Sequence, residues 1–346
     1  MGFSVVIPLH NKETTVLRAV ESVLRQTELP ESVIVVDDGS TDNSVSRLMQ
    51  SEFWKFITLI RQAQSGPGPA RNAGWSRSGS EWIAFLDADD VWLPRHLATL
   101  RVLVEELPDV EWVSTSSKVV MERSSRRPAE YTYVRSAVNA IMQPTRRRRA
   151  SYFDLNRNRF ALPNSSTTAV QKQALEAVAG FPHVVPNEDL ALWCALALRG
   201  CVGYSPVRTV EIHRGTSNIS TYFRQRDSSL YCEDAFALAE TPHFRVVSTA
   251  LDHDKLDSHI RVSAELYLDY LLLRHWPTVI VQKTQTCARE ALSLVRRKRH
   301  WRYALFIFAA YLPQRTATLL SALGNQFLRF LRVQVPVSPF VRRQLD

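Results

Sequence analysis

Residues 82–92 read WIAFLDADDVW, an apolar run followed by three acidic residues. The apolar run Ile83–Leu86 predicts a buried strand that leads directly into the carboxylates of Asp87, Asp89 and Asp90. Carboxylates held so close repel one another in a partly desolvated site, which favours a bound divalent cation. Because the stretch offers oxygen ligands and neither Cys nor His, the expected ion is Mg²⁺ or Mn²⁺. A solvated acidic turn after a strand is the alternative.

The residues before this stretch alternate apolar runs with helix-spaced patterns, which predicts a parallel sheet covered by helices. Strands are predicted at 4–7, 32–36 and 56–60, and the second of them also ends in acids, Asp37 and Asp38. Ligands of open α/β sheets bind beyond the carboxyl ends of the strands. The edge that carries both acidic segments is therefore the expected pocket.

Three features of this edge describe a pocket for a nucleoside diphosphate. Asp37 and Asp38 suit ribose hydroxyls or a base N–H, because ionised carboxylates only accept hydrogen bonds. Arg71 follows the loop 65–69 at the start of a predicted helix, where it can meet a diphosphate. A metal ion at residues 87–90 would neutralise that diphosphate. The alternatives are a turn or cap role for Asp38 and a surface ion pair for Arg71.

The composition is that of a globular chain with an unusually basic balance. The 346 residues are 45% hydrophobic and 22% charged, which argues against extensive disorder and allows two domains. A net charge of +9 predicts attraction to phosphate in nucleic acid, anionic lipid or a phosphorylated substrate. The four cysteines lack metal-ligand spacing, and neither a signal peptide nor a long apolar span is evident, so a cytoplasmic location is expected.

Four motifs in this order resemble glycosyltransferase family 2, whose members have the GT-A fold. They are VVIPLHN at 5–11, VVDDGSTD at 35–42, ARNAG at 70–74 and FLDADD at 85–90, and the likeness continues at VAGFP, 178–182, and NEDLALW, 187–193. The resemblance implies a Rossmann-like, mixed and mostly parallel α/β sheet flanked by helices. It places a GT-A-like domain at 1–221, with a nucleotide-sugar half at 1–105 and an acceptor half at 106–221, before a helical C-terminal region at 222–346.

The resemblance also implies roles for individual residues. Asp189 would be the catalytic base of an inverting displacement, and Asp87 with Asp89 would form the Asp-X-Asp metal site. His213 is a further candidate metal ligand, although Val210 and Glu211 before it depart from the family pattern, and a structural histidine is the alternative. The donor nucleotide would be bound by Pro8, Asn11, Asp37, Asp38, Arg71, Asp87 and Ala88. The acceptor side would include Glu188, Asp90 and Trp193.

The implied reaction is the transfer of one sugar from a nucleoside-diphosphate sugar, with UDP favoured, to a glycan or lipid-linked acceptor in surface polysaccharide assembly. The chain lacks the QXXRW motif of the family's processive synthases, which favours single-sugar transfer. A haloacid-dehalogenase-like phosphatase is an alternative, because residues 86–91 also fit Asp-X-Asp-X-Val, but its GDXXXD motif is missing. A basic module that binds membrane or nucleic acid without catalysis is another alternative. It leaves the acidic strand ends unexplained, and no nucleic-acid partner is expected.

The C-terminal residues favour helices without strands. Leucines at 266–273 and 292–294 indicate helices, and aromatic and arginine residues at 301–332 suit a basic amphipathic segment. Arginine runs at 123–127 and 146–149 suit an acceptor-side loop or contact with anionic lipid. We therefore expect peripheral association with an anionic membrane surface, on the cytoplasmic face of the inner membrane. Helices that pack on the catalytic domain are the alternative.

Overall fold

The computed structural model describes residues 2–121, 148–157, 163–183, 187–214, 241–251 and 256–281. The chain divides into two compact units, Met1–Gly215 and Thr216–Asp346. The predicted domain boundary at 221 falls just inside the second unit, and the proposed division of the first domain at 105 stays a prediction.

The first part of the first unit alternates strands and helices along the chain. Its elements are β1 (Phe3–Leu9), α1 (Val16–Leu24), β2 (Ser32–Asp38), α2 (Ser44–Met49), β3 (Ile57–Gln62), α3 (Pro67–Arg77) and β4 (Trp82–Phe85). These four strands are parallel to one another. Strand β1 lies between β2 and β4, and β3 pairs with the other side of β2. The ends of β2 and β4 therefore point to the same sheet edge, on either side of β1.

The second part of this unit extends the same sheet in mixed orientation. Its elements are β5 (Val91–Trp92), α4 (His96–Glu106), β6 (Trp112–Met121), β7 (Arg148–Ala150), α5 (Tyr152–Arg157), β8 (Thr168–Gln171), α6 (Lys172–Ala177), α7 (Glu188–Ala197) and β9 (Val202–Arg214). The described strands form one sheet in the order β3-β2-β1-β4-β8-β6-β9-β5, with β7 on β9. Strand β8 is antiparallel to β4 and β6, whereas β6 and β9 are parallel. The predicted mixed, mostly parallel sheet flanked by helices is confirmed.

Two predicted boundaries shift for identifiable reasons. Phe56 belongs to the 3-10 turn Trp54–Phe56, and β3 runs on to Gln62 because Arg61 and Gln62 pair with the last two residues of β2. Helix α3 begins inside the predicted loop, at Pro67, whose fixed φ and missing N–H suit a first helical position. The neighbouring Gly66 has φ of 97°, a backbone conformation that glycine adopts without strain.

The core of the first unit lies on both faces of the parallel strands. Val5, Val6 and Ile7 of β1 are fully buried, as expected for a strand covered by helices on both sides. Helix α3 approaches β1 closely at Gly74, where an added Cβ would lie 2.4 Å from Val6 Cγ1. This approach holds the later part of α3 closely against β1.

Gly74→Ala is expected to lower the free energy of unfolding by about 1–3 kcal/mol, because the new methyl group overpacks the contact with Val6. Gly79→Ala is the matched control, since a Cβ there would meet nothing within 4 Å. We expect the control to stay within about 0.5 kcal/mol of the wild type in urea unfolding. Equal stability of the two variants would contradict the close packing of α3 on β1.

The second unit is described by two helices, α8 (Pro242–Leu251) and α9 (Ser258–Val281). Helix α9 contains the leucine-rich stretch at 266–273, so that predicted helix is confirmed. Along the stretches that the structure describes, no helix combines the length and the apolar character needed to cross a membrane. The predicted segments at 292–294 and 301–332 and the arginine run at 123–127 lie outside the described residues, as do Arg146 and Arg147.

Candidate active site

The acidic turn follows β4 at the edge of the sheet, between buried Leu86 and the short strand β5. The turn is closed by a hydrogen bond from the Asp90 N–H to the Asp87 carbonyl, 3.0 Å long. Ser166 accepts from the Asp87 N–H through its hydroxyl oxygen at 3.1 Å. These contacts place three carboxylates in one short turn, and each of them has different partners.

Arg71 links the acidic turn to the start of α7. Its guanidinium donates to Asp87 Oδ1 at 2.7 Å and to Glu188 Oε1 at 2.9 Å, and it lies 5.1 Å from the centre of the Phe181 ring. Burial by itself would lower the pKa of Arg71, but the carboxylates of Asp87 and Glu188 outweigh it and raise that pKa. Arg71 is thus a buried bridge between two carboxylates and not the surface ion pair considered as the alternative. Its contact with a diphosphate stays a prediction.

Asp89 is held by a different cation. Lys12, in the loop after β1, places Nζ 2.8 Å from Asp89 Oδ2. Arg18 on α1 donates to the Asp89 backbone carbonyl at 3.0 Å. The two carboxylates expected to hold a metal ion therefore carry separate basic partners, Arg71 on Asp87 and Lys12 on Asp89.

Asp90 ties the acidic turn to β9. Its carboxylate accepts from the Ser166 hydroxyl at 2.6 Å and from the His213 N–H at 3.0 Å. Burial, with the charges of Asp87 and Asp89, raises the pKa of Asp90 well above its usual value. This arrangement gives Asp90 a structural role, and its acceptor-side role stays a prediction.

His213 lies at the end of β9 beside the turn, but its ring faces another residue. The Nε2 atom lies 3.6 Å from Glu211 Oε2. Over the described ranges of the chain, no group of three or more His, Cys, Asp or Glu side chains is arranged to hold a metal ion. The metal role of His213 stays a prediction, and the contact with Glu211 is compatible with the structural alternative.

The acids at the end of β2 are committed to the backbone around them. Asp38 is buried, and its carboxylate accepts from Gln62 Nε2 and the Ser65 and Gly66 N–H groups, at 2.7, 2.8 and 2.8 Å. Asp37 Oδ1 accepts from the Ser40 N–H at 3.0 Å. Asp38 therefore anchors the loop that leads into α3, which is compatible with the turn role considered as the alternative. Contact with the donor stays a prediction for Asp37 and Asp38.

The remaining donor-side candidates lie around the same edge. Asn11 has φ of 50°, and its Oδ1 accepts from the Thr41 N–H at 2.8 Å, which joins the loops after β1 and β2. Pro8 is half-buried in β1 beside Val36, and Ala88 is buried within the acidic turn. All three are scaffold positions in this structure, and contact with a donor stays a prediction for each.

Helix α7 presents Glu188 and Asp189 in its first turn, where the helix dipole favours negative charge. Burial, followed by the charge of Glu188, raises the pKa of Asp189 to about 6, although Arg71 opposes this shift. Asp189 Oδ1 accepts from the Leu190 N–H at 2.7 Å. The result is a carboxyl group that ionises just below neutral pH, as a general base requires.

The comparisons with known proteins agree with this geometry. Residues 4–167 match the family model described as Glycosyl transferase family 2. An uncharacterised glycosyltransferase of Nostoc sp. is 30% identical over 249 residues, which cover 69% of this chain and 70% of that protein. This chain belongs to glycosyltransferase family 2. The alternatives of a phosphatase and a non-catalytic binding module are thereby set aside.

A second relative of the glycosyltransferase matches a shorter segment. It is the UDP-Glc:alpha-D-GlcNAc-diphosphoundecaprenol beta-1,3-glucosyltransferase WfgD of Escherichia coli, 32% identical over 94 residues. This match covers 27% of the chain and 37% of WfgD. Other curated relatives are likewise matched over less than half of their own length.

Solved structures establish the fold of the glycosyltransferase. S. aureus TarS in complex with UDP-GlcNAc has a TM-score of 0.62 and 15% identity, over 93% of this chain and 89% of that one. PcManGT from Pyrobaculum calidifontis in complex with GDP-Man and Mn²⁺ has a TM-score of 0.52 and 18% identity, over 96% and 87%. The predicted GT-A-like fold is confirmed.

Trp193 of the glycosyltransferase lies in the core, away from any surface. It is fully buried and stacks on Trp112 with ring centres 5.8 Å apart and planes 4° from parallel. The edge of Phe181 packs against it at 6.0 Å. Trp193 therefore packs α7 against Trp112 and Phe181, and its contact with the acceptor stays a prediction.

Sequence reasoning missed two features of the site. Lys12 drew no attention, although it follows directly after the first motif. Asn72, the neighbour of Arg71, donates to the Phe181 carbonyl at 2.7 Å and accepts from the Phe181 N–H at 2.9 Å. The adjacent Gly180 has φ of 66°, and a Cβ there would lie 2.5 Å from Asn72 Oδ1. The glycine in VAGFP was the available signal for this close approach.

Proposed function

We propose that this glycosyltransferase is an inverting, metal-dependent and non-processive enzyme that moves one sugar from a UDP-sugar to a hydroxyl of a glycan or lipid-linked acceptor. The names of two similar proteins support the donor and acceptor classes. WfgD is named for UDP-Glc and a GlcNAc-diphosphoundecaprenol acceptor, and TarS was determined with UDP-GlcNAc. A role in surface polysaccharide assembly follows from the same acceptor class.

One observation carries the proposal, namely that Arg71 joins the acidic turn to the helix of the proposed base. Asp87 and Glu188 accept from the two ends of one guanidinium, and Asp189 is the next residue on α7. The carboxylates that suit the donor side and the carboxylate that suits the acceptor side are therefore held in one buried frame. A transfer between two substrates requires this proximity.

The proposed reaction is a single displacement at the anomeric carbon. Asp189 accepts the proton of the acceptor hydroxyl as its oxygen forms the new glycosidic bond, and the bond to the diphosphate breaks on the opposite face. A pKa of about 6 leaves Asp189 ionised at neutral pH while keeping it a stronger base than an ordinary aspartate. Arg71 holds Glu188, the residue before Asp189, in place and balances the negative charge of Glu188.

The donor set of the acidic turn fits a hard divalent ion. The hydrogen bonds and ion pairs given above use Asp87 Oδ1 and Asp89 Oδ2, so a second oxygen of each carboxylate faces elsewhere. Mg²⁺ typically binds one or two carboxylates and completes its shell with phosphate and water. When bound, such an ion would stabilise the charge that develops on the leaving diphosphate. Asp87 and Asp89 are the proposed ligands, and His213 is a candidate for the same shell.

Attachment to the cytoplasmic face of the inner membrane is part of the proposal. The net charge of +9 favours an anionic surface, and a lipid-linked acceptor would be presented at one. Sedimentation with anionic vesicles, compared with neutral vesicles of equal size, tests this point. Equal recovery with both kinds of vesicle would contradict electrostatic attachment.

Asp89→Asn is expected to abolish the metal-dependent part of UDP binding. A nucleotide at a hundredfold excess over its dissociation constant stabilises the native state by about 2.7 kcal/mol, which raises the melting temperature. We expect Mn²⁺ to enhance this rise in the wild type and to have no such effect on Asp89→Asn. Asp109→Asn is the matched control, because Asp109 pairs with Arg149 at a site separate from the acidic turn.

The test distinguishes donor, metal and stereochemistry. Equal stabilisation of the wild type by UDP with and without Mn²⁺ would contradict metal dependence. Stabilisation by GDP and not by UDP would contradict the UDP-sugar donor and indicate a GDP-sugar. Proton NMR of the first product formed from an α-linked UDP-sugar should show a β-linkage. An α-linked product would contradict inversion.

A further inference from the structure

Lys12 occupies the position beside Asp89 that a divalent ion would have to share. Its ammonium lies 2.8 Å from Asp89 Oδ2, and the two side chains are only 18% and 17% exposed. The partner of Asp87 is Arg71, and the Asp90 carboxylate is used by Ser166 and His213. Lys12 therefore supplies the positive charge at the one carboxylate of the turn that has neither Arg71 nor a buried hydrogen-bond network.

The two cations that pair with carboxylates of the acidic turn differ in their freedom to move. Arg71 is buried, bridges two carboxylates and packs on Phe181. Movement of its guanidinium away from the site would leave both carboxylates without their cation. Lys12 makes one ion pair through a flexible stem, and an ammonium can rotate its three donors toward a new anion. Lys12 is the cation of this turn that can change partner at low cost.

The backbone and the side chain of Lys12 are held by separate contacts. The Lys12 N–H donates to Ser44 Oγ at 2.8 Å, and the Glu13 N–H donates to Asp42 Oδ2 at 3.0 Å. These bonds hold the loop after β1 against the start of α2. A change of partner by Lys12 therefore needs rotation of its own side-chain bonds and leaves the loop in place.

We propose that Lys12 is a resident counter-ion that holds Asp89 before donor loading and transfers to the donor diphosphate when a divalent ion binds Asp89. The inference rests on the proposed function, because it takes a metal ion and a nucleoside diphosphate as the ligands of the turn. The ammonium and a divalent ion repel each other at a shared carboxylate. A phosphate beside them offers Lys12 a new partner, since lysine binds phosphate as a point charge.

This role predicts two changes of opposite sign in Lys12→Met. Mn²⁺ alone should bind the variant about fivefold more tightly, because the competing charge is gone. UDP should bind the Mn²⁺-loaded variant about fivefold more weakly, because the phosphate contact is lost. A merely structural role would weaken both affinities together, so the opposite signs are the diagnostic result.

The experiment is a titration of the full chain with Mn²⁺, followed by the electron paramagnetic resonance signal of free Mn²⁺, with and without UDP. Lys12→Gln is the second variant, since it removes the charge and keeps a hydrogen-bond donor on a side chain that is one bond shorter. Arg25→Met is the matched control, because Arg25 also pairs with a carboxylate, that of Glu21 at 2.7 Å, and neither residue belongs to the proposed site. Melting temperatures without metal verify that each variant is folded.

The outcomes separate this inference from the proposed function. Tighter Mn²⁺ binding in both Lys12 variants, with the control unchanged, supports it. If the wild type binds Mn²⁺ in the presence of UDP, and both Lys12 variants have the wild-type affinity for Mn²⁺ in its absence, the counter-ion role is wrong and the metal-dependent function stands. If neither the wild type nor any variant binds Mn²⁺, with or without UDP, both proposals are overturned.

Discussion

Asp189→Asn is expected to lower kcat by about a thousandfold, the usual contribution of a positioned general base. Asparagine has nearly the same shape but no basic oxygen, so it cannot take the proton of the acceptor hydroxyl. Asp189 is next to Glu188, and Glu188 keeps its pair with Arg71 in the variant, so Asp189→Asn should keep the frame of the site and with it the affinity for UDP. Release of UDP in the presence of donor and acceptor measures kcat, and calorimetry measures UDP affinity.

The pH profile gives an independent readout of the same residue. Since Asp189 must be ionised to accept a proton, the activity should fall about tenfold per pH unit below a pKa of about 6 and level off above it. Asp189→Asn should lose this limb, while Asp109→Asn should keep it. A variant that retains more than a tenth of wild-type kcat, with the limb intact, would show that another group is the base.

Arg71→Met is expected to lower the free energy of unfolding by about 3–5 kcal/mol, because it removes the shared cation of two carboxylates. The Glu188 side chain is only 9% exposed, so water cannot replace the lost partner. Methionine keeps an apolar stem over Phe181, which limits the loss of packing. Urea unfolding followed by tryptophan fluorescence measures the change.

Arg199→Met is the matched control for this prediction. Arg199 also forms a two-pronged pair, with Glu111 at 2.8 and 2.6 Å, but the side chains are 40% and 35% exposed. An exposed pair contributes about 1 kcal/mol or less, so the control should unfold near the wild type. Equal losses in the two variants would mean that the bridge of Arg71 does not support the fold.

Local spacing predicted the elements that depend on local spacing. The apolar residues Val16, Ala19, Val20, Val23 and Leu24 recur at helical spacing and predict α1. The first four of them are buried, and Leu24 is half-buried. The shared edge of β2 and β4 followed from strand alternation and the rule for open sheets. The antiparallel insertion of β8 beside β4 was not specified, because no local pattern determines which distant strand completes a sheet edge.

The site could be predicted by residue type but not by partner. Arg71 meets Glu188 across 117 residues of sequence, and composition does not reveal which carboxylates an arginine will find. Asp38 reads as a ligand because it is acidic and follows a strand, yet its oxygens are used by backbone N–H groups of a loop. Trp193 has the residue type of a sugar platform, and only tertiary packing reveals that it is buried.

Arg71 and Asn72 stand side by side on α3, and together they secure the acidic turn, the Phe181 backbone and the first residue of α7. The proposed base is thereby in position before any acceptor arrives. A base that waits in place cannot tell an acceptor hydroxyl from water. The donor is then protected from hydrolysis only if water enters the site slowly or cannot approach the anomeric carbon in line with the bond that breaks. In the absence of acceptor, these two factors set the rate at which the enzyme hydrolyses its bound donor.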